Sequence, residues 1–295
     1  MRLSVVIPTL GRPEFLRETI ESVLAADPLP AELIVVDGDS NRSAEPVVDE
    51  FRGGKTDLVY VPTIPSVTRQ RNMGIHAAGS EVVVFLDDDV TVDPRLFAVL
   101  DEAFRDAGVV GATGHVVEER SHQFMSQHST ARRWLLGNGA QGTFTRFGYP
   151  RYVLDFEHEH DVEVMPGCLM SVRTDVAREV LFDETLTGYA LAEDEDFSYR
   201  LSRLGRIRFL PEAVVKHKKS GFSSSNPREL NKKVVVNRAY LFRKNFKQTR
   251  LARLQFVLLI LMLVTHRVLN REWSAARGLV DGIVQVWRPR TVAPR

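Results

Sequence analysis

The N-terminal third of the chain alternates short apolar runs with helix-period segments, and no other feature constrains the fold as tightly. Residues 3–7, 33–36, 58–61 and 82–86 are rich in Val, Ile, Leu and Phe and read as buried strands, the first stopped by Pro8. Between the first two runs, Phe15, Leu16, Ile20, Val23 and Leu24 recur at helical spacing within 14–26. Residues 47–51 read as a short helix and 66–78 as a longer one, with Ser66 at the N-cap position. Strands separated by helices imply a parallel, doubly wound α/β sheet. A helix over 94–107, with Pro94 near its first turn, and a strand beginning at 109–113 extend the pattern.

The fourth run ends abruptly in Asp87, Asp88 and Asp89. Aspartate is a poor strand former, so the strand stops there and leaves carboxylates crowded at its carboxyl edge. Such groups repel one another unless a cation or protons offset their charge, and Mg²⁺ or Mn²⁺ prefers oxygen ligands. The carboxyl ends of strands are also where open α/β sheets bind phosphates. Two further groups match the triplet in kind. Glu193 to Asp196 is an acidic run at a helix start, where the helix dipole favours carboxylates, and His217 follows a strand. A carboxylate pair with an imidazole suits Mn²⁺, and a separate carboxylate suits a general base.

At 295 residues the chain holds one large α/β domain or two smaller ones, and its 44% hydrophobic and 26% charged content is that of a folded soluble protein. Cys168, the single cysteine, has no partner for an internal disulfide and reads as packed core. No long apolar run follows Met1, so no secretory signal peptide is expected. Between 114 and 164 the periodicity weakens, and loops with short elements shaped for a substrate are expected. A strand over 167–172, helices over 174–180 and 194–204, a strand over 207–210 stopped by Pro211 and another over 213–216 follow. The net charge of +1 conceals an asymmetry: residues 218–295 carry 17 Lys/Arg against three acids, a net of +14. That segment seeks a polyanion. Within it, residues 256–264 are uninterruptedly apolar but well short of the ~20 needed to span a bilayer, and they are flanked by Arg250, Arg253, His266, Arg267 and Arg271. An interfacial helix on anionic lipid is expected, with a buried helix or dimer contact, and last a true span, as the alternatives.

The motifs Val5 to Thr9, Val35 to Ser40, Arg69 to Gly74 and Phe85 to Asp89 stand in the order seen in glycosyltransferase family 2, which this sequence resembles over residues 3–220. Pro166 to Met170, Phe182 to Glu184, Glu193 to Leu201 and Val215 to His217 continue that order. The resemblance implies a GT-A fold and inverting transfer from a nucleotide-activated sugar. It implies that Pro8, Thr9, Arg12, Asp37, Asp39, Arg69, Arg71, Asp87, Asp88 and Gly167 line the donor. Asp87 and Asp89 would be the DxD element holding Mn²⁺ or Mg²⁺, with His217 as third ligand. Asp194, with Glu193, would be catalytic. The sequence departs from the common pattern at Val36-Asp37-Gly38-Asp39, where many relatives have two adjacent aspartates, so the aspartate that meets the base stays open.

The expected division is a nucleotide-sugar-binding half at 1–113, an acceptor-binding and catalytic half at 114–220, and a basic helical extension at 221–295. A UDP-sugar is favoured as donor and a cell-envelope or lipid-linked glycan as acceptor, with the protein peripheral on the cytoplasmic face of a membrane through 250–295. Homo-oligomer assembly is carried as an expectation; nucleic acid is not, since no reading module is present. His158 to Asp161 reads as an acceptor-side loop without metal. Two rivals remain: a haloacid-dehalogenase-like phosphohydrolase using Asp87 and Asp89, and a non-catalytic scaffold of the same fold.

Overall fold

The computed structural model describes residues 1–118, 139–153, 155–187, 190–218 and 226–288. The chain divides into two compact units. The larger opens with β1 (Leu3–Thr9), α1 (Pro13–Leu24), β2 (Glu32–Asp37), α2 (Glu45–Glu50), β3 (Asp57–Pro62), α3 (Val67–Ala77) and β4 (Val82–Leu86). It continues with β5 (Val90–Val92), α4 (Leu96–Ala103), β6 (Val109–Glu118), β7 (His160–Val162), β8 (Leu169–Arg173), α5 (Thr174–Val180), α6 (Glu193–Leu201) and β9 (Arg206–His217).

One sheet runs in the order β3-β2-β1-β4-β8-β6-β9-β5, with β7 also paired to β9. The first four strands are parallel, as expected from the helices between them. β8 enters antiparallel between β4 and β6, and β5 and β7 pair antiparallel with β9, so the sheet is mixed and only mostly parallel. Alternation sorts the core onto two faces. Val5, Ile7, Leu33, Val35, Val84 and Leu86 pack with Leu16, Ile20 and Phe97 on one side. Val6, Ile34, Val36 and Phe85 pack with Ile75, Phe182 and Phe197 on the other. Phe182 stacks on Phe197 at 3.9 Å, and Phe85 meets Phe182 edge-on at 5.4 Å.

Two close approaches require glycine. At Gly74 a Cβ would stand 2.2 Å from Val6 Cγ1, so α3 lies on β1 only because that position lacks a side chain. At Gly114 a Cβ would stand 1.9 Å from the carbonyl oxygen of Ala213. Gly114 marks a shift in the β6–β9 register, where Leu210 and Val214 oppose consecutive residues of β6. The shift corrects one expectation: β9 is a single strand through Pro211, not two. The irregularity accommodates a residue with no N–H to donate. Strand structure also reaches further into 114–164 than expected, through Glu118 and again at β7. The remainder of that stretch at 119–138, and the tail at 289–295, lie outside the described residues.

The second unit includes residues 144–149 and three helices: α7 (Pro227–Asn245), α8 (Arg250–Leu269) and α9 (Trp273–Trp287). Asn226 caps α7 by accepting from the N–H of Arg228 at 3.1 Å, and Thr249 caps α8 by accepting from that of Ala252 at 3.1 Å. Phe147, Val235, Phe242, Phe256, Leu259, Leu263 and Leu279 form its core, with Phe242 stacked on Phe256 at 4.9 Å. The nine-residue apolar run thus lies inside a 20-residue helix, α8. By length and composition alone α8 is apolar enough to cross a membrane, but its Phe256, Leu259, Ile260 and Leu263 face the core of the unit.

Candidate active site

Between β4 and β5 the chain turns through the three aspartates, leaving a central strand and joining the sheet edge beside β9. The turn separates their roles. Asp88 is fully buried: Thr9 donates its hydroxyl to Asp88 at 2.7 Å, and Arg12 donates from Nε at 3.2 Å and from a second nitrogen. Burial pushes the Asp88 carboxyl up to about 7, against the opposing pull of Arg12 and Thr9. Arg12 immediately precedes α1, where Pro13 suits the first turn, and also donates to Asp89 at 3.2 Å.

Asp87 and Asp89 lie towards His217, Asp89 while sharing Arg12 with Asp88. β5 pairs with the end of β9 so that Val90 lies opposite His217, bringing the imidazole Nε2 3.1 Å from Asp89 Oδ1. One ligand atom from each of Asp87, Asp89 and His217 lies within 4.8 Å of the others. Two carboxylates and an imidazole converging in this way fit a hard divalent cation of the Mn²⁺ or Mg²⁺ type.

A second acidic group stands beside this cluster. Ala192, at φ 70° in the left-handed region, turns the chain into α6, and all four acids occupy its first turn. Asp194 Oδ2 accepts from the N–H of Gly167 at 3.0 Å and Oδ1 from that of Glu195 at 2.9 Å, which fixes the carboxylate. Burial, with Glu193 and Glu195 adding like charge, pushes Asp194 up to about 8. Burial also raises Glu193, opposed by Arg71. Asp196 is turned inward to Arg200 at 2.7 Å.

Arg71 joins the two groups. Only 2% exposed, it donates to Glu193 at 2.8 Å, to Asp87 at 3.3 Å and to the carbonyl of Gly167 at 3.1 Å. Burial disfavours its charge, but Glu193, Asp87 and Asp194 outweigh that cost and keep it protonated. Its motif neighbours Gln70 and Asn72 are buried and serve the backbone: Gln70 donates to Thr9 and Val36 carbonyls, and Asn72 clasps Phe182. Arg69 is exposed.

The ends of β1 and β2 complete the rim. Pro8 is buried opposite Val36. Asp37 is fully buried, accepting from the N–H groups of Asp39 at 2.8 Å and Ala44 at 3.2 Å and from the hydroxyl of Tyr60 at 2.9 Å. Burial, then the neighbouring carboxylate, pushes the Tyr60 phenol up to about 12. Asp39 is more open and is held below its ordinary range by hydrogen bonds from Ser43 and Asn41. Sequence reading missed Tyr60 altogether, having seen it only as a strand residue. Away from the rim, Glu159 and Asp161 pair with Arg208 at 2.8 and 2.9 Å, and Cys168 is buried as expected.

Residues 4–181 match the family described as Glycosyl transferase family 2. A glucosyl-dolichyl phosphate glucuronosyltransferase of Haloferax volcanii is 31% identical over 198 residues, covering 64% of this chain and 58% of that protein. An uncharacterized glycosyltransferase of a Nostoc species is 30% identical over 119 residues, covering 39% of this chain and 37% of the other. The chain therefore spans less than two thirds of the length of either relative. Mannosyltransferase PcManGT from Pyrobaculum calidifontis, in complex with GDP-Man and Mn²⁺, aligns with TM-score 0.61 at 14% identity over 97% of this chain and 87% of that one. S. aureus TarS 1-349 in complex with UDP aligns with TM-score 0.57 at 17% identity over 87% of this chain and 70% of that one. At these identities the likeness speaks for the fold. The phosphohydrolase rival gains no support from any of these matches. With the resemblance in the motifs now carried by a family match over more than half of its length, the chain belongs to glycosyl transferase family 2, and its mixed, mostly parallel sheet is the GT-A fold.

Proposed function

We propose that the protein is a metal-dependent inverting glycosyltransferase that moves a sugar from a nucleoside diphosphate donor to an acceptor hydroxyl. The observation that carries this reading is the convergence of Asp87, Asp89 and His217 on one side of Arg71, with Glu193 and the Gly167–Asp194 contact on the other. Asp87, Asp89 and His217 would hold Mn²⁺ or Mg²⁺, which when bound offsets charge on a departing diphosphate.

The chain's own groups do the rest. Asp194 accepts the acceptor's hydroxyl proton as that oxygen bonds to the anomeric carbon and the bond from that carbon to the diphosphate breaks. A carboxylate with raised proton affinity is the stronger base, and two N–H groups hold it in one orientation. A single displacement inverts the anomeric centre. Asp37 already accepts from three internal donors, so Asp39 is the aspartate left to meet the donor's base. Thr9 and Arg12 act by fixing Asp88 and Asp89, and Arg69, Pro8 and Gly167 complete the rim.

The donor is favoured to carry UDP. The acceptor is proposed to be a lipid-linked or cell-envelope glycan, a reading supported by the name of the Haloferax relative. Residues 1–113 form the donor half and 114–220 the acceptor half, with the 250–295 segment resting on the cytoplasmic face of a membrane. A panel of nucleotide sugars with and without Mn²⁺ tests the reading: metal-dependent thermal stabilisation by one of them supports it, and indifference to all of them removes it.

A further inference from the structure

In the three-helix unit, α8 turns Leu254, Val257, Leu261 and Val268 outward, and α9 does the same with Trp273, Val280, Val284 and Trp287. Within each set the residues stand three, four or seven apart and so form one exposed stripe on their helix. The two stripes meet at a cavity of about 440 Å³, lined by Phe242, Phe256, Val257 and Trp287 and by two arginines, Arg243 and Arg253. That volume lies within the range of small-ligand pockets.

We infer that this cleft binds the head of an anionic phospholipid, with the arginines on its phosphate and the aromatic wall along the start of its chains. The inference deepens the membrane contact proposed above and rests on it. Three observations carry it. Arg243 reaches only the carbonyl of Val286, at 3.5 Å, and neither arginine is ion-paired among the described residues. Two unpaired cations beside an apolar hollow match an amphiphile that joins a phosphate to hydrocarbon. Residues 226–288 carry 13 Lys/Arg against three acids, the sign a negatively charged leaflet attracts. Finally, α8 spends one face on the unit's own core and leaves the other bare, the arrangement of a helix lying in an interface and not threading it. Trp273 and Trp287, each at least half exposed, are the side chains that favour the headgroup level.

The test is flotation of the full chain with vesicles of phosphatidylglycerol and phosphatidylcholine, against phosphatidylcholine alone. The wild type floats with the anionic vesicles only. Arg243→Glu/Arg253→Glu weakens that binding by roughly tenfold or more, whereas Lys55→Glu/Arg95→Glu, an equal charge change in the larger unit, leaves it intact. Tryptophan fluorescence is quenched by brominated phosphatidylglycerol, and the quenching is reduced in Trp287→Phe, with Trp273 supplying the remainder. No flotation of the wild type overturns both this inference and the membrane reading. Flotation that Arg243→Glu/Arg253→Glu and the control retain equally overturns the cleft and leaves the membrane reading standing. A concentration-dependent dimer abolished by Arg243→Glu/Arg253→Glu assigns the face to a second copy and also overturns it. Metal-dependent turnover of donor by every variant keeps the glycosyltransferase reading separate from all of these outcomes.

Discussion

Arg71 donates to Glu193 at 2.8 Å from a side chain that is 2% exposed, and the same guanidinium reaches Asp87 at 3.3 Å. A single cation thus joins Asp87, of the candidate metal cluster, to the acidic turn that carries Asp194. Its Nε has no hydrogen-bond partner among the described residues, and its position is set by the two acids, the Gly167 carbonyl and the Phe182 ring beneath it.

Arg71→Met leaves those carboxylates without a counter-charge, and loss of one member of a buried pair costs about 3–5 kcal/mol. Arg71→Lys keeps the charge but not the fork that reaches three acceptors. Lys at this position is expected to fold and to slow turnover with little change in its pH profile. Met, where it folds, is expected to move the acid limb of the profile to higher pH, because Arg71 is the cation that holds Asp194 down.

Asp194→Asn removes the proposed proton acceptor and is expected to lower kcat by about 10²–10⁴-fold with little change in donor affinity. In the wild type kcat/KM rises with pH and levels off near Asp194's pKa of about 8, since only the ionised carboxylate accepts a proton.

The same group makes stability depend on pH. Its folded pKa of about 8 lies above the ordinary 3.8, so between those values the folded state holds a proton that the unfolded chain releases. Its contribution is fully present below about pH 4 and is lost as pH rises towards 8. Thermal melts of the protein without donor should show Asp194→Asn gaining on the wild type as pH rises through that window.

Asp88 and Asp89 differ by direction, not chemistry. Asp88→Ala strips the buried anchor of Thr9 and Arg12 and is expected to cost about 3 kcal/mol, roughly a 10 °C fall in Tm. Asp89→Asn keeps the shape and leaves one oxygen to accept from Arg12, which Asp88 still pairs, so its Tm should fall less than that of Asp88→Ala while Mn²⁺ stimulation is lost.

Gly74→Ala drives a methyl group into Val6 and should destabilise by about 1–3 kcal/mol. Val6→Ala opens that space, so the double variant should lose less than the sum of the singles, with a coupling energy measurable by denaturant titration.

The parallel strands and the helices between them were legible because periods of two and of about 3.6 residues write burial directly into residue order. β5 was not: three residues after a run of acids are too few to show alternation. β9 read as two strands because Pro211 is an ordinary stop signal, and only the neighbouring register shift lets the strand continue. The motifs named candidate site residues, but a row of three aspartates does not say which one turns inward. Asp88 and Asp37, expected at the donor, are both fully buried and hydrogen-bonded within the chain. Arg71 finds its carboxylates 16 and 122 residues away, a distance no local pattern records.

The most direct measurement is release of nucleoside diphosphate from a panel of nucleotide sugars by the wild type and Asp89→Asn, with Mn²⁺ and with chelator. The expected result is turnover of at least one donor that requires the metal and disappears in the variant. Turnover by Asp89→Asn at the wild-type rate, or none by the wild type on any donor with Mn²⁺ present, would contradict the account.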